Sequence, residues 1–203
     1  MPIEIEKKFR LTKKQRQEVL DRLPAIGAKR KGEDLEVNTL YAGETLDVTR
    51  LVLRLRRIGD RGVLTYKESL PARLDMKHRR EDETRIGDPD AMELILEALG
   101  FNPALVYEKR RETWRLGQTE IVIDELPFGL FMEIEGSEKS IREIENNLAI
   151  KRLRTETLSY PRLVLKHGAQ NGGVIESRFL SKQKKRPRPL GAKPLGSDPG
   201  KRS

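Results

Sequence analysis

From Ile3 to Phe9 the chain alternates in character: Ile3, Ile5 and Phe9 are apolar, while Glu4, Glu6 and Lys8 stand at every second position. In an extended strand alternate residues share a face, so this segment has one ionic side and one largely apolar side. The same period returns downstream. Arg54 and Arg56 stand opposite Leu53 and Leu55 in "LVLRLRR", and Thr65 and Lys67 stand opposite Leu64 and Tyr66 in "LTYKES". Arg79, Glu81 and Glu83 share a side in "KHRREDETR". Lys109 and Arg111 oppose Val106, Glu108 and Trp114, a face that is only partly apolar. Asp124 opposes Ile121 and Ile123, and Glu133 and Glu135 share a side with Phe131 while Met132 and Ile134 face the other way. "KGEDLEVNTLYA" also reads as a strand, without so clear a division.

Between these runs the period changes. "LTKKQRQEVLDRLPAIG" predicts a helix with Thr12 as N-cap, apolar Val19, Leu20 and Leu23, and an end marked by Pro24 and Gly27. "DPDAMELILEALGF" predicts a second, opening at Asp88 and Pro89 and closing at Gly100. "SEKSIREIENNLAI" predicts a third, capped by Ser137, and "SYPRLVLKHG" a short amphipathic piece. Short links between many strands favour antiparallel pairing over crossover units.

The charges on the ionic faces are sorted: some strands carry paired carboxylates and others paired cations. On an open sheet such rows repel one another, since two like charges about 4 Å apart cost roughly 4 kcal/mol at an effective dielectric of about 20. Closing the sheet interleaves opposite signs. The expected fold is therefore α+β: a closed eight-stranded antiparallel β-barrel with a charged interior and helices packed on its apolar outside. The inward carboxylates would be Glu4, Glu6, Glu81, Glu83, Asp124, Glu133 and Glu135, and the inward cations Lys8, Arg54, Arg56, Lys67, Arg79, Lys109 and Arg111. Cations that hold phosphate oxygens beside carboxylates that hold a metal suit a polyphosphate bound with divalent ions. Trp114 alternates away from this lining and is expected in the outer packing.

Composition narrows the chemistry further. The 203 residues include no Cys and two His, His78 and His167, which leaves neither a disulfide framework nor a Cys- or His-based metal site. A bound metal would take carboxylate oxygens, favouring hard ions. No apolar run reaches membrane-spanning length and the N-terminus lacks a signal-peptide core, so a cytoplasmic location with no membrane contact is expected. The formal charge of +9 is misleading about the body: residues 169–203 hold nine Lys and Arg against Glu176 and Asp198, leaving +2 for residues 1–168. The expected organisation is one folded unit over 1–168 and a disordered basic Pro/Gly-rich tail over 169–203. Contact of that tail with nucleic acid would be accessory, weak and salt-dependent.

The ordered set Glu4-x-Glu6-x-Lys8, "LRLR", "TYK", "RREDE", "EKRR", "IDE" and "FMEIEG" resembles the CYTH proteins, also called triphosphate tunnel metalloenzymes. The resemblance covers roughly residues 1–168. It implies a barrel that binds a small-molecule triphosphate with Mg2+ or Mn2+. Glu4, Glu6, Glu133 and Glu135 would be the principal metal carboxylates, with Asp124, Glu81 and Glu83 supplementary. Lys8, Arg54, Arg56, Lys67, Arg79, Lys109 and Arg111 would grip phosphate oxygens. Thiamine-triphosphate-hydrolysing relatives suggest that Lys67 with Tyr41 orients or deprotonates the nucleophile; phosphate binding alone is the other role open to Lys67. The family comprises inorganic triphosphatases, thiamine triphosphatases and class IV adenylate cyclases. Hydrolysis is the first expectation, cyclisation of ATP to cyclic AMP and pyrophosphate the alternative, and a non-catalytic polyphosphate- or nucleotide-binding module the second alternative. "IDELPFGLFMEIEG" departs from the cyclase pattern, in which "LDEV" precedes a Gly-rich turn; here Pro127 and Phe128 replace part of that turn. Oligomeric state, monomer or homodimer, is left open.

Overall fold

The computed structural model describes residues 3–44, 46, 50–71, 76–150 and 152–180. Eight strands form the barrel: β1 (Ile3–Leu11), β2 (Lys29–Ala42), β3 (Leu51–Ile58), β4 (Arg61–Leu70), β5 (Lys77–Ile86), β6 (Asn102–Leu116), β7 (Thr119–Leu126) and β8 (Gly129–Glu135). They pair in the order β2-β3-β4-β5-β1-β8-β7-β6, and β6 returns to β2 to close the circuit. All eight pairings are antiparallel. Closure gives the sheet a true interior, while the first half of β6 runs past β7 and keeps an edge there.

The apolar faces point outward and are covered by helices. α1 (Lys13–Ala25) and α3 (Glu138–Asn147) bring Val19, Leu23, Ile141 and Ile144 onto Phe9, Ile121, Ile123, Met132 and Ile134, the outward residues of β1, β7 and β8. Trp114 joins this cluster, as its place in the alternation predicts. Thr12 caps α1 in a full capping box with Gln15, and Ser137 caps α3. α1 runs through Pro24 to Ala25, and Gly27 (φ 82°) then turns the chain away in a conformation an L side chain resists. α2 (Pro89–Ala98), capped by Asp88, sets Leu96 against Tyr41 and Leu55 on the outer face of β2 and β3.

α4 (Tyr160–His167) does a different job. Tyr160, Leu163 and Val164 pack against Leu40, Leu105, Tyr107, Leu126 and Phe131. By alternation these strand residues lie on the inner face, in line with Asn38, Lys109, Asp124 and Glu133. The helix therefore stops one end of the barrel on its β6–β7–β8 side. Pro127 and Phe128 make the turn between β7 and β8, where Phe128 stacks on His167 at 5.3 Å and fastens the turn to the end of α4.

The chain does not become irregular at residue 169. β9 (Ala169–Asn171) and β10 (Val174–Ser177) form a hairpin through Gly172 and Gly173, both in the left-handed region. β10 runs parallel to Leu105–Tyr107 of β6, extending the edge beyond β7, and Ile175 packs on the α4 cluster. Two apolar residues suffice where a strand edge is waiting, and the bulk composition of the tail conceals them. The expected boundary at 168/169 is thus corrected to a point beyond Ser177; residues 181–203, which hold most of the basic tail, lie outside the described residues. Among the described residues no helix is long and apolar enough to cross a membrane.

Candidate functional site

Inside the barrel is a cavity of about 470 Å³. All seven inward cations expected from the sequence line it: Lys8, Arg54, Arg56, Lys67, Arg79, Lys109 and Arg111. So do Glu4, Glu6, Glu81, Glu83, Glu133 and Glu135, and they are joined by Glu120. Leu40, Tyr107, Tyr160 and Pro161 add an apolar floor against α4.

The strand order distributes these charges on two facing walls. β3 and β6 flank β2 and present Arg54, Arg56, Lys109 and Arg111. β5, β1 and β8 are consecutive on the other side and present Glu81, Glu83, Glu4, Glu6, Glu133 and Glu135. Lys67, Lys8 and Arg79 stand among or beside the acids. Lys67 Nζ bridges Glu4 at 2.7 Å and Glu81 at 3.0 Å, and Lys8 Nζ meets Glu133 at 3.0 Å.

Beneath the cationic wall lies a second set of carboxylates. Glu36 of β2 is 2% exposed and accepts contacts from Lys109 at 3.2 Å and Arg56 at 3.3 Å. Asp124 is fully buried: Arg111 grips both its oxygens, at 2.8 and 2.7 Å, and the Tyr160 hydroxyl donates to it at 2.7 Å. Arg111 also reaches Glu133 at 2.8 Å. These anchors hold the cations in place, yet Arg54 Nε is buried and has no hydrogen-bond partner among the described residues. A donor in that position suits an anion in the cavity.

A family model for the CYTH domain matches residues 2–162. The chain belongs to the CYTH family. A relative from Methanocaldococcus jannaschii, named "Putative adenylate cyclase MJ0240", is 30% identical over 144 residues, covering 70% of this chain and 81% of that one. Among solved structures, a Pyrococcus horikoshii protein superposes with a TM-score of 0.67 at 24% identity, over 79% of this chain and 98% of its own. A Hippeastrum protein, described as a "putative adenylyl cyclase" with a dominant triphosphatase activity, gives a TM-score of 0.63 at 20% identity, over 85% and 98% of the two chains. These likenesses show the same barrel fold.

Within this CYTH barrel the protonation states differ from wall to wall. Burial pushes the Glu4 carboxyl up to about 8; Lys67 opposes the rise, while Glu6 and Glu81 add to it. Burial likewise lifts Glu135 to about 7, against Lys67 and with Glu120. Glu6 is pushed up by burial and by Glu133, but Lys77, Lys8 and Arg79 outweigh both and bring it to about 2. Glu36 overcomes burial through Lys109, Arg111, Arg56 and Arg54 and lies far below the usual carboxylate range. On the cationic wall, burial and the neighbouring Arg111 guanidinium bring Lys109 down to about 8.

Two placements need correction. Tyr41 is not in this cavity: it sits on the outer face of β2, with its hydroxyl donating to Glu93 of α2 at 3.4 Å. Tyr41 borders a neighbouring cavity instead, and Lys67 borders both. Asp124 does not line the cavity either, and its oxygens are occupied by Arg111 and Tyr160. It acts as the footing of the cationic wall and is a poor candidate for a metal ligand. Four residues escaped the sequence reading: Glu36, Glu120, Tyr160 and Lys77, which binds Glu6 at 2.9 Å. Lys77 shares the alternation of Arg79, a signal that was available; Glu36 follows a stretch of β2 exposed on both faces, and Tyr160 belongs to a helix and has no such period.

Proposed function

We propose that the chain is a divalent-metal-dependent enzyme that cleaves a triphosphate by in-line phosphoryl transfer to water. One observation supports this reading above the rest: a wall of cations faces a wall of carboxylates across one cavity inside the barrel. The lining carries seven cations and seven carboxylates, a formal balance of zero. A triphosphate with four or so negative charges would meet the acid wall with strong repulsion unless divalent cations came with it.

The donor set fits such an ion. Mg2+ and Mn2+ take hard carboxylate oxygens, and Glu4 and Glu135, which burial lifts to about 8 and 7, would exchange their protons for such an ion. Among the described residues no three acidic side chains yet converge in ligating geometry, because lysines draw several of them aside. Glu4, Glu6, Glu81 and Glu135 are the carboxylates of the acid wall best placed to hold the metal, which would neutralise charge on the phosphoryl group in flight. Arg54, Arg56 and Arg111 hold phosphate oxygens, with bidentate geometry open to the guanidinium groups. Lys8 and Lys67 stand between acids and would turn to the phosphate. Lys109, held near 8, is the lysine suited to exchanging a proton near neutral pH.

The Methanocaldococcus relative supports a second reading, cyclisation of ATP in the same cavity. Product analysis separates the two. Purified protein is given tripolyphosphate, ATP and thiamine triphosphate with Mg2+ and with Mn2+, and Glu133→Ala/Glu135→Ala serves as control. Orthophosphate release that the control lacks is the expected result. Cyclic AMP with pyrophosphate would establish the cyclase instead. Binding without turnover of any of the three would overturn the enzyme and leave a binding module.

A further inference from the structure

Lys77 opens β5 and lines the neighbouring cavity, which shares Lys67, Arg79 and Ser159 with the charged one. It therefore stands where the two spaces meet. In the β1–β5 register it lies directly across from Glu6, as Arg79 lies across from Glu4. Cross-strand neighbours on one face touch, and the Lys77 ammonium reaches Glu6 at 2.9 Å. The same ammonium donates to the Leu158 carbonyl at 3.4 Å, and Lys8 donates to that carbonyl at 3.3 Å. Two ammonium groups thus converge on one neutral oxygen. Glu6 neutralises the first and Glu133 the second, at 2.9 and 3.0 Å.

Glu6 is also one of the carboxylates on which the metal would draw. A divalent ion there satisfies Glu6 and leaves Lys77 without its counter-ion. Lys8, Lys77 and Arg79 then form a group of cations at the end of the charged cavity nearest α4, and an anionic oxygen is what such a group binds. We propose that Lys77 is a further phosphate-binding residue, held by Glu6 in the metal-free protein and turned to a phosphate oxygen beside Lys8 once a divalent ion takes that carboxylate. The inference rests on the metal and triphosphate reading above and adds an exchange of partners to it. The Lys77 side chain is 19% exposed, against 1% for Lys8, so it has room to turn. An ammonium on a four-carbon stem re-aims by rotating its own bonds, and no strand need move.

The test measures two affinities separately. Mn2+ alone is followed by the electron paramagnetic resonance of the free ion. Tripolyphosphate and ATP are compared at saturating Mn2+, as KM where turned over and as inhibition constants otherwise. Lys77→Gln keeps a donor for Glu6 and removes the charge. It should bind Mn2+ about tenfold more tightly than the wild type, since no ammonium competes for Glu6, and either triphosphate about tenfold more weakly. Lys77→Arg restores the charge and should return both affinities toward the wild-type values. The wild type carries the test alone if the glutamine variant does not fold: acetylation of Lys77, read by mass spectrometry, should quicken with Mn2+ and slow again when a triphosphate is added. A cross-strand pair that only braces β1 against β5 predicts Mn2+ binding no tighter in Lys77→Gln, triphosphate affinity unchanged and a flat acetylation rate. Any one of these would overturn the exchange and leave the triphosphate site standing. Failure of the wild type to bind Mn2+, or either triphosphate with it, would overturn the proposed function itself.

Discussion

Glu36 and Glu135 are the same residue type, both inside one barrel, and the structure puts them to opposite uses. Glu36 lies under the cationic wall, and Lys109, Arg111, Arg56 and Arg54 hold it ionised far below the usual range. Glu135 lies on the acid wall, where burial and neighbouring carboxylates lift it to about 7. Desolvation raises both, but unequally: Glu36 is buried, whereas Glu135 ends β8 at an exposed position. What separates them is the number of cations within reach, and that follows from strand order: β2 stands between β3 and β6, whereas β8 stands between β1 and β7. A carboxylate with excess cations is an anchor. A carboxyl short of them keeps its proton, which a divalent ion can displace.

Neutralising each residue without changing its shape tests this contrast most directly. Glu36→Gln leaves Lys109, Arg56 and Arg111 facing one another across a buried gap, and removing one partner from a buried ion network costs about 3–5 kcal/mol. Urea titration should show that loss, whether or not divalent ions are present. Glu135→Gln should behave the other way. It removes a carboxylate the metal-free fold carries at a cost, so unfolding free energy should hold or rise, while metal-dependent turnover falls about a hundredfold, or roughly 2.7 kcal/mol of transition-state stabilisation. Equal destabilisation by the two variants would end the distinction between anchor and ligand.

The parts that were legible in the sequence are those whose period survives folding. Arg54 with Arg56 and Glu133 with Glu135 declare an ionic face because their intervening residues, Leu55 and Ile134, are fully buried on the other side. Glu36 was harder to see. It follows Glu33 and Asp34 in a half of β2 that is exposed on both faces, so no alternation marks where the barrel interior begins. Tyr41 lies one position beyond Leu40, at an irregularity in the β2–β6 register, and its neighbours in sequence do not show which face it takes. The anchoring of Asp124 by Tyr160 joins residues 36 positions apart through a helix folded back on the barrel end. Only the tertiary structure could supply that contact, as it did the partner strand that turns Val174–Ser177 into β10.

The acid wall also sets a dependence on pH. Glu4 and Glu135 have folded values of about 8 and 7, both above the ordinary 4.5. A carboxyl raised in the folded state binds its proton more tightly there than in the unfolded chain. Its contribution to stability is therefore complete below about pH 4.5 and declines as the pH rises through 7 and 8. The metal-free protein should lose stability across that interval. A divalent ion competes for the same oxygens and must displace those protons, so it binds better as the pH rises. Melting curves with Mn2+ and with chelator at pH 6, 7 and 8 should show an increment in Tm that grows with pH. An increment independent of pH would mean that the ion binds elsewhere.

Tyr160 offers the smallest effect and the finest test of the anchoring wall. Its hydroxyl donates to Asp124 at 2.7 Å, and its ring lies 3.7 Å below Lys8 Nζ and 5.2 Å from Lys109 Nζ. It thus touches one lysine among the acids and one among the cations. Tyr160→Phe removes only the hydroxyl: Asp124 keeps Arg111, and the cost should be about 1 kcal/mol of stability with a modest rise in KM. Tyr160→Leu also removes the ring face, adding about 1 kcal/mol for the lysine contacts that lose it. If Tyr160 positions the two lysines for phosphate, the Leu variant should raise KM well beyond the Phe variant while kcat changes little. If α4 is merely a stopper, both variants should lower Tm and leave KM alone, because a plug of leucine closes the barrel end as well as one of tyrosine.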